Sequence, residues 1–531
     1  MMDITALIEV ASNWINLSVA LFTLSLILLS MYSISAFSQL KKIGIKHPTP
    51  LPFIGNMFWF KQGFFAAHQE LARNYGNVCG FYFGRQPHII VGDPEMLKQI
   101  MVKDFPNFMN RQDFPFVTKP LSDSVLLLKD HDWKRVRTIL SPTFTGAKLK
   151  EMVPLITQVG DVLLQNLKKH AITGESVDVL RTFGNLTMDV IASVVFGIQL
   201  DSQNQTNHPF VHHAKLFFRV TIFRPIFFLS LAFPVFNPLW KKVLPEKHRK
   251  EVDIFFTHAI KQLVKQRKSQ PPNERRRDFL QLILDAGEST EEATSELPQS
   301  KDETNENSVP LVETRPQTKK TLSDDEIVGQ ALFFLVAGYE TTSGALGFIA
   351  YLLATHPECQ ERLLREIDKF FQNNESPDYN NVQKLEYMEM VISEALRLYP
   401  PAVRFGRQAK HDCVVEGQFI PANMCIEVPV AVLHYDPRFW HDPMKYDPER
   451  FTTEAKAARH PFAYLPFGGG PRICIGMRLA FLEIKITLAK ILQKFSFETC
   501  AETQIPLKTK SVSTLTAPDG VILKIVSRKE S

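Results

Sequence analysis

Hydrophobic and polar positions are distributed in three different ways along this chain. Between residues 10 and 40 there is no charged side chain, and residues 17–34 are predominantly apolar. A helix rising about 1.5 Å per residue needs roughly 20 such residues to cross a hydrocarbon core about 30 Å thick. The window therefore predicts a single membrane-spanning helix. A cleaved signal peptide would need a basic start, whereas the preceding residues carry Asp3 and Glu9 and no Lys or Arg. Lys41, Lys42 and Lys46 follow the run directly, which places the C-terminal side in the cytosol. Next comes His47-Pro-Thr-Pro-Leu-Pro52, whose prolines lack donors and hold an extended, stiff spacer. The expected organisation is an anchor over 1–40, a proline-rich hinge over 41–52 and a body over 53–531.

The second pattern, alternation with a period of two, occurs at residues 78–83 and 88–92 and predicts two strands of a small hairpin. The third, a helical period, dominates the rest. Residues 206–245 are rich in Phe and Leu, but Pro225, Pro234 and Pro238 interrupt them, so short apolar helices and loops are expected rather than a second span. They fit either buried core or a surface that dips into the bilayer. Residues 288–321 nearly lose their large apolar side chains, cannot offset their ordering entropy by burial, and are expected to be a mobile insertion. Ser323-Asp-Asp-Glu326 then reads as a capping box opening a helix that runs to Thr355, because Pro357 disfavours helix at His356. At 1.5 Å per residue such a helix is about 48 Å long. Its apolar stretches, 332–336 and 344–353, predict a central buried helix.

Composition narrows the classes. With 531 residues, 45% hydrophobic and 22% charged, the chain is neither disordered nor collagenous. The length alone would allow three or four domains, yet there is no internal repeat and one strong composition break, so one large body is as natural. A net charge of +5 without a basic cluster gives no reason to expect a nucleic-acid partner. The cysteines Cys79, Cys359, Cys413, Cys425, Cys474 and Cys500 show no CxxC spacing, as expected of reduced thiols in a cytosolic body. The sequons at Asn185, Asn204 and Asn374 would then go unused. His212-His213 makes a poor chelate, because adjacent helical residues point about 100° apart.

Candidate chemistry concentrates near the C-terminus. Phe467-Gly-Gly-Gly-Pro-Arg-Ile-Cys-Ile-Gly476 precedes an apolar helical pattern over 477–492. A Walker loop is excluded, since no Gly-Lys-Ser/Thr follows. The Gly/Pro run can wrap a bulky group, and Cys474 stands just before a helix, where N–H donors and the dipole favour thiolate, a natural ligand for a soft metal centre. A structural cysteine or a plain turn would be the bland explanations.

Here the chain resembles the cytochrome P450 family, whose haem-ligand motif is Phe-x-x-Gly-x-Arg-x-Cys-x-Gly. Phe467, Gly470, Arg472, Cys474 and Gly476 match each fixed position, and Ala480 and Glu483 extend the match. The resemblance implies a mainly α fold with small β-sheets, preceded here by the single N-terminal transmembrane helix, and haem b with Cys474 as axial iron ligand. It implies that Trp133, Arg137 and Arg407 hold haem propionates together with the Phe467–Gly476 loop. It also implies a scaffold in which Glu394 and Arg397 join Arg450 of Pro448-Glu-Arg-Phe451, although a Glu/Arg pair three apart is by itself usually an exposed ion pair. Ala337-Gly-Tyr-Glu340-Thr341-Thr342 matches the oxygen-side motif, with Glu340 and Thr341 as catalytic candidates.

Blocks without catalytic logic of their own, such as residues 47–56, 151–156, 275–280 and 325–331, are similar to one branch of that family. This branch isomerises prostaglandin H2 to thromboxane A2, with hydroxy-heptadecatrienoic acid and malondialdehyde as fragmentation products. The similarity implies a lipid substrate, a monomer in the endoplasmic reticulum membrane with a cytosolic body, and no need for O2 or a reductase. Asn110, Arg111 and Arg404 are candidates for orienting polar groups of the substrate. Thr341 departs from the branch, which carries an apolar residue there, and matches microsomal relatives that hydroxylate lipids, steroids or xenobiotics with O2 and an NADPH-dependent reductase. Both reactions stay open at this point; a haem-binding carrier without turnover is a third class, disfavoured by the intact oxygen-side motif.

Overall fold

The structure is a computed structural model that describes residues 4–112, 117–205, 207–219, 224–244, 247–271, 274–275, 278–288 and 321–528. The core of the expected insertion, residues 289–320, lies outside the described residues.

The uncharged N-terminal window forms a helix over Ile4–Ser35, longer than the apolar run alone predicts. Among the described residues three helices are long and apolar enough to cross a membrane, and burial separates them. Only 6% of the apolar window in Ser12–Lys42 is buried, against 78% for Val179–Phe196 and 72% for Asp324–Thr355. The latter two are interior; the first is largely uncovered by protein, as suits a membrane anchor. The stretch expected to act as a hinge lies against the body. Leu40 and Ile45 are buried, the Leu40 N–H donates to the Tyr82 hydroxyl at 3.0 Å, and the Gly80 N–H donates to the Lys46 carbonyl at 2.9 Å. Asn56 ties down the proline run, donating to the carbonyls of Pro48 and Thr49.

The body is mainly helical with small sheets. Its largest sheet has four strands in the order Val78–Phe83, Gln86–Val91, Cys425–Pro429, Arg404–Gln408. The first two form the antiparallel hairpin, the next pair is parallel and the last antiparallel. In that register Ile90 faces Glu427, so His88, two residues away, points to the same side of the sheet as Glu427. Arg404, opposite Pro429, shares that side as well.

The central helix covers Asp324–Thr355. Ser323 Oγ accepts the Glu326 N–H while Glu326 accepts the Ser323 N–H, the reciprocal cap that satisfies two otherwise orphaned donors. The helix packs closely on Val179–Ile191. Gly338 permits this approach, since a Cβ there would lie 2.5 Å from Ile191 Cδ1. The Phe-rich stretch resolves into Pro209–Phe218, Pro225–Ala232 and Asn237–Val243. A proline stands within the first two positions of each, where the missing N–H costs no helical bond.

Candidate functional site

A cavity of about 1120 Å³ lies between the central helix, the Cys474 loop and the sheet. That volume exceeds the roughly 300–1,000 Å³ of ordinary ligand pockets, leaving room for a large cofactor and a second ligand.

Its floor is the loop 467–476. Cys474 N–H donates to the Phe467 carbonyl at 2.9 Å, closing the loop on itself. Gly470 has φ +67°, and any Cβ there would strike the Met101 carbonyl, so only glycine fits both the conformation and the space. The helix Met477–Lys494 starts directly beyond. The Cys474 thiol is accessible, but its exposure is to the cavity. Burial pushes its pKa up, countered in part by the N–H groups of Gly476 and Met477 and by Arg137 and Arg111. The helix start alone therefore does not make the thiolate that the sequence suggested; a bound cation would complete it. Among the described residues no group of three or more His, Cys, Asp or Glu is placed to hold a metal ion, so a metal at Cys474 must bring its other ligands with it.

Four guanidiniums converge beside the thiol. Arg137 donates to the Ile473 carbonyl at 2.9 Å. Arg472 donates to the Leu128 carbonyl at 2.8 Å and stacks over Trp133. Arg407, 1% exposed, donates to the Gly406 carbonyl. Arg111 completes the group. Burial pulls all four pKa values down, to about 10 for Arg111 and about 9 for Arg472, and mutual repulsion adds to the effect at Arg407 and Arg472. The Nε atoms of Arg111, Arg407 and Arg472 are buried without a hydrogen-bond partner among the described residues. Such a cluster lacks anions. A flat macrocycle with carboxylates on one edge and a thiolate-seeking metal at its centre fits both the orphaned donors and Cys474. These residues could hold haem.

The scaffold residues meet as expected, though not as an exposed pair. Arg397 grips Glu394 through two bonds of 2.7 and 2.8 Å with both side chains fully buried, and Arg450 Nε lies 3.4 Å from the same carboxylate. Arg397 also donates to the carbonyls of His434 and Pro443, stapling the helix Glu386–Leu398 to that later segment.

On the opposite wall Ala337, Gly338, Thr341 and Thr342 face the cavity. Thr341 Oγ1 donates to the Ala337 carbonyl at 2.6 Å, so its hydrogen is committed to its own helix and its lone pairs face inward. Glu340 turns aside. It accepts from Thr514 at 2.7 Å, has one oxygen unpartnered among the described residues, and burial pushes its pKa up to about 7.

The substrate-orienting candidates separate. Asn110 ties the start of the helix at Asp130 to the strand at Gln408, accepting the N–H groups of both. Arg111 joins the cation cluster. Arg404 lines the cavity, stacked 3.7 Å over Phe64 and 3.0 Å from Glu427. Glu427 is also held by His68 and His88 at 3.1 and 3.0 Å. Burial pulls that carboxyl up, but Arg404, His68 and His88 together hold it well below its ordinary value. This group is not foreseen, since it depends on sheet register. Glu483, named in the sequence only as an extension of the motif, also lines the cavity with Oε1 unpartnered among the described residues, and burial raises its pKa to about 8. Its spacing from Cys474 is the available signal.

Comparison with known proteins agrees with the geometry. The family model for Cytochrome P450 matches residues 45–525. The chain is 45% identical to thromboxane-A synthase of Mus musculus over 99% of this chain and 100% of that protein. It is 44% identical to that of Sus scrofa, again over 99% and 100%. It is 40% identical to cytochrome P450 3A7 of Homo sapiens, over 96% of this chain and 97% of that protein.

Proposed function

Because this chain belongs to the cytochrome P450 family and is an enzyme of that type with haem as cofactor, we propose that it isomerises prostaglandin H2 to thromboxane A2. The observation that carries the reading is similarity to thromboxane-A synthases that runs through the whole of both chains, anchor included. The reaction is an internal rearrangement: the O–O bond breaks, both oxygens stay in the product, and no external electrons are consumed. Fragmentation to hydroxy-heptadecatrienoic acid and malondialdehyde is the competing outcome.

Bound haem supplies the one-electron chemistry that splits a peroxide. The chain's part is positioning. Cys474 would bind the iron; Trp133, Arg111, Arg137, Arg407 and Arg472 would hold the carboxylates of the group, with Phe467 and Gly476 shaping the loop. Glu394, Arg397 and Arg450 keep that loop in register from below. Ala337 and Gly338 leave space over the reacting centre, and the apolar walls exclude water that would divert a reactive intermediate. Thr341, with its hydrogen donated to Ala337, offers a passing ligand an acceptor and no ready proton. The exposed N-terminal helix anchors the enzyme in the membrane from which its lipid substrate comes. Endoplasmic reticulum and a single pass with a cytosolic body are the placement this reading takes.

A second reading is a monooxygenase using O2, NADPH and its reductase. Thr341 on the cavity wall and Glu340 behind it, with a pKa near neutrality, would serve proton delivery there. Purified holoenzyme given prostaglandin H2 without NADPH or reductase separates the two. Thromboxane B2, the hydrolysis product, accumulates under the first reading. Its absence, with hydroxylated products appearing once reductase is supplied, overturns it.

A further inference from the structure

Among the described residues six guanidiniums line the cavity, and five have an evident task. Arg111, Arg137, Arg407 and Arg472 gather beside Cys474, and Arg404 is paired with Glu427. Arg85 remains. It forms no ion pair with any described acidic residue, and its Nε is buried without a partner.

The place of Arg85 is well defined. It follows Gly84 in the turn of the hairpin, and Gly84 packs against Leu231 so closely that a Cβ would meet Leu231 Cβ at 2.5 Å. The guanidinium lies 3.5 Å over the ring of Tyr32 in the anchor helix and donates to Ser35 Oγ at 2.9 Å. Tyr32 is itself fixed, donating to the Ala232 carbonyl at 3.1 Å and stacking on Phe233. Around Arg85 the cavity wall is made by Ala36, Phe227, Leu231 and Pro234. The cavity thus runs from the thiol to the foot of the anchor, and a cation without an acidic partner among the described residues stands at the anchor end.

We propose that Arg85 receives the carboxylate of a fatty-acid-derived substrate there, while the rest of the molecule lies toward Cys474. An ionised carboxylate is costly to carry into an apolar cavity unless it is paired. At the last turns of the anchor, which Lys41 and Lys42 follow in the sequence, it stays near the water–lipid boundary and needs only one partner. Arg85 supplies that partner, held at a fixed position by the Tyr32 stack, with N–H donors that no described acceptor takes and that suit a carboxylate fork. This inference rests on the lipid-isomerase reading for the identity of the ligand, and it assigns which end of the lipid faces the membrane.

The test uses full-length holoenzyme in phosphatidylcholine vesicles and a stable carbon-for-oxygen analogue of prostaglandin H2, as the free acid and as its methyl ester. Binding is followed by the shift of haem absorption. In Arg85→Gln the acid should bind about tenfold more weakly, corresponding to one charge-assisted contact, while the ester binds as it does to the unaltered protein. Arg85→Lys should recover part of the acid's affinity. Equal weakening of acid and ester, or no change in either, overturns the proposal. Loss of vesicle association with an unchanged acid-to-ester ratio also overturns it, because the ligand of Arg85 would then be a lipid phosphate. The ratio is read from binding alone, so a protein that discriminates acid from ester yet makes no thromboxane contradicts the reaction and leaves the assignment of Arg85 standing.

Discussion

The guanidinium of Arg472 lies over the indole of Trp133, with Cζ 4.3 Å from the ring centroid. Arg472 comes from the loop that carries Cys474, and Trp133 from the helix Asp130–Leu140. The stack therefore joins two distant parts of the chain at the edge where four cations meet.

Removing the indole should loosen that edge more than the fold. Trp133→Ala gives up a buried aromatic, and truncations of this kind typically cost about 3–5 kcal/mol. Part of that cost is the cation–π contact, about 0.5–2 kcal/mol. The expected result is a several-fold drop in haem retained through purification, with Trp133→Phe close to the unaltered protein. Haem-to-protein absorbance ratios check this; equal loss in both variants would mean that ring stacking is not the cause.

Glu394 is the common anion for Arg397 and Arg450, with its own side chain fully buried. Glu394→Ala leaves two buried cations without it, and breaking such a pair from one side costs about 3–5 kcal/mol. Glu394→Gln keeps acceptor geometry and should cost less. Thermal unfolding of the holoenzyme should show a lowered midpoint for Ala and a smaller shift for Gln.

Glu340 gives a pH signature. Burial lifts its pKa from 4.5 to about 7, so the folded protein holds this proton more tightly than the unfolded chain does. Its contribution to stability is complete below the unfolded value and is lost as pH rises through the folded one. From about pH 4.5 to 7 this carboxyl should make stability fall with rising pH. Glu340→Gln removes the proton and should flatten that part of the profile, measured as unfolding midpoint against pH.

Much of this is legible in the sequence where one local segment decides the outcome. The loop around Cys474, the cap at Ser323 and the apolar anchor each follow from neighbouring residues. Arg407 and Trp133 are found through motif resemblance. The cluster of His68, His88, Arg404 and Glu427 is not legible, because it is created by strand register between segments far apart in the chain. Arg85 looks like an ordinary hairpin-turn residue until the anchor is seen to end beside it. Glu340 shows the converse: the motif places it with Thr341, but successive helical residues diverge by about 100°, and its carboxyl turns to Thr514 instead of the cavity.

The most direct test of an internal rearrangement is the initial rate of thromboxane B2 formation from prostaglandin H2 by purified holoenzyme. It should be measured under strict exclusion of O2 and again with O2, NADPH and reductase present. Isomerisation predicts the same rate in both conditions, accompanied by hydroxy-heptadecatrienoic acid. Formation that requires O2 and reductase, or product that is hydroxylated rather than rearranged, would contradict it.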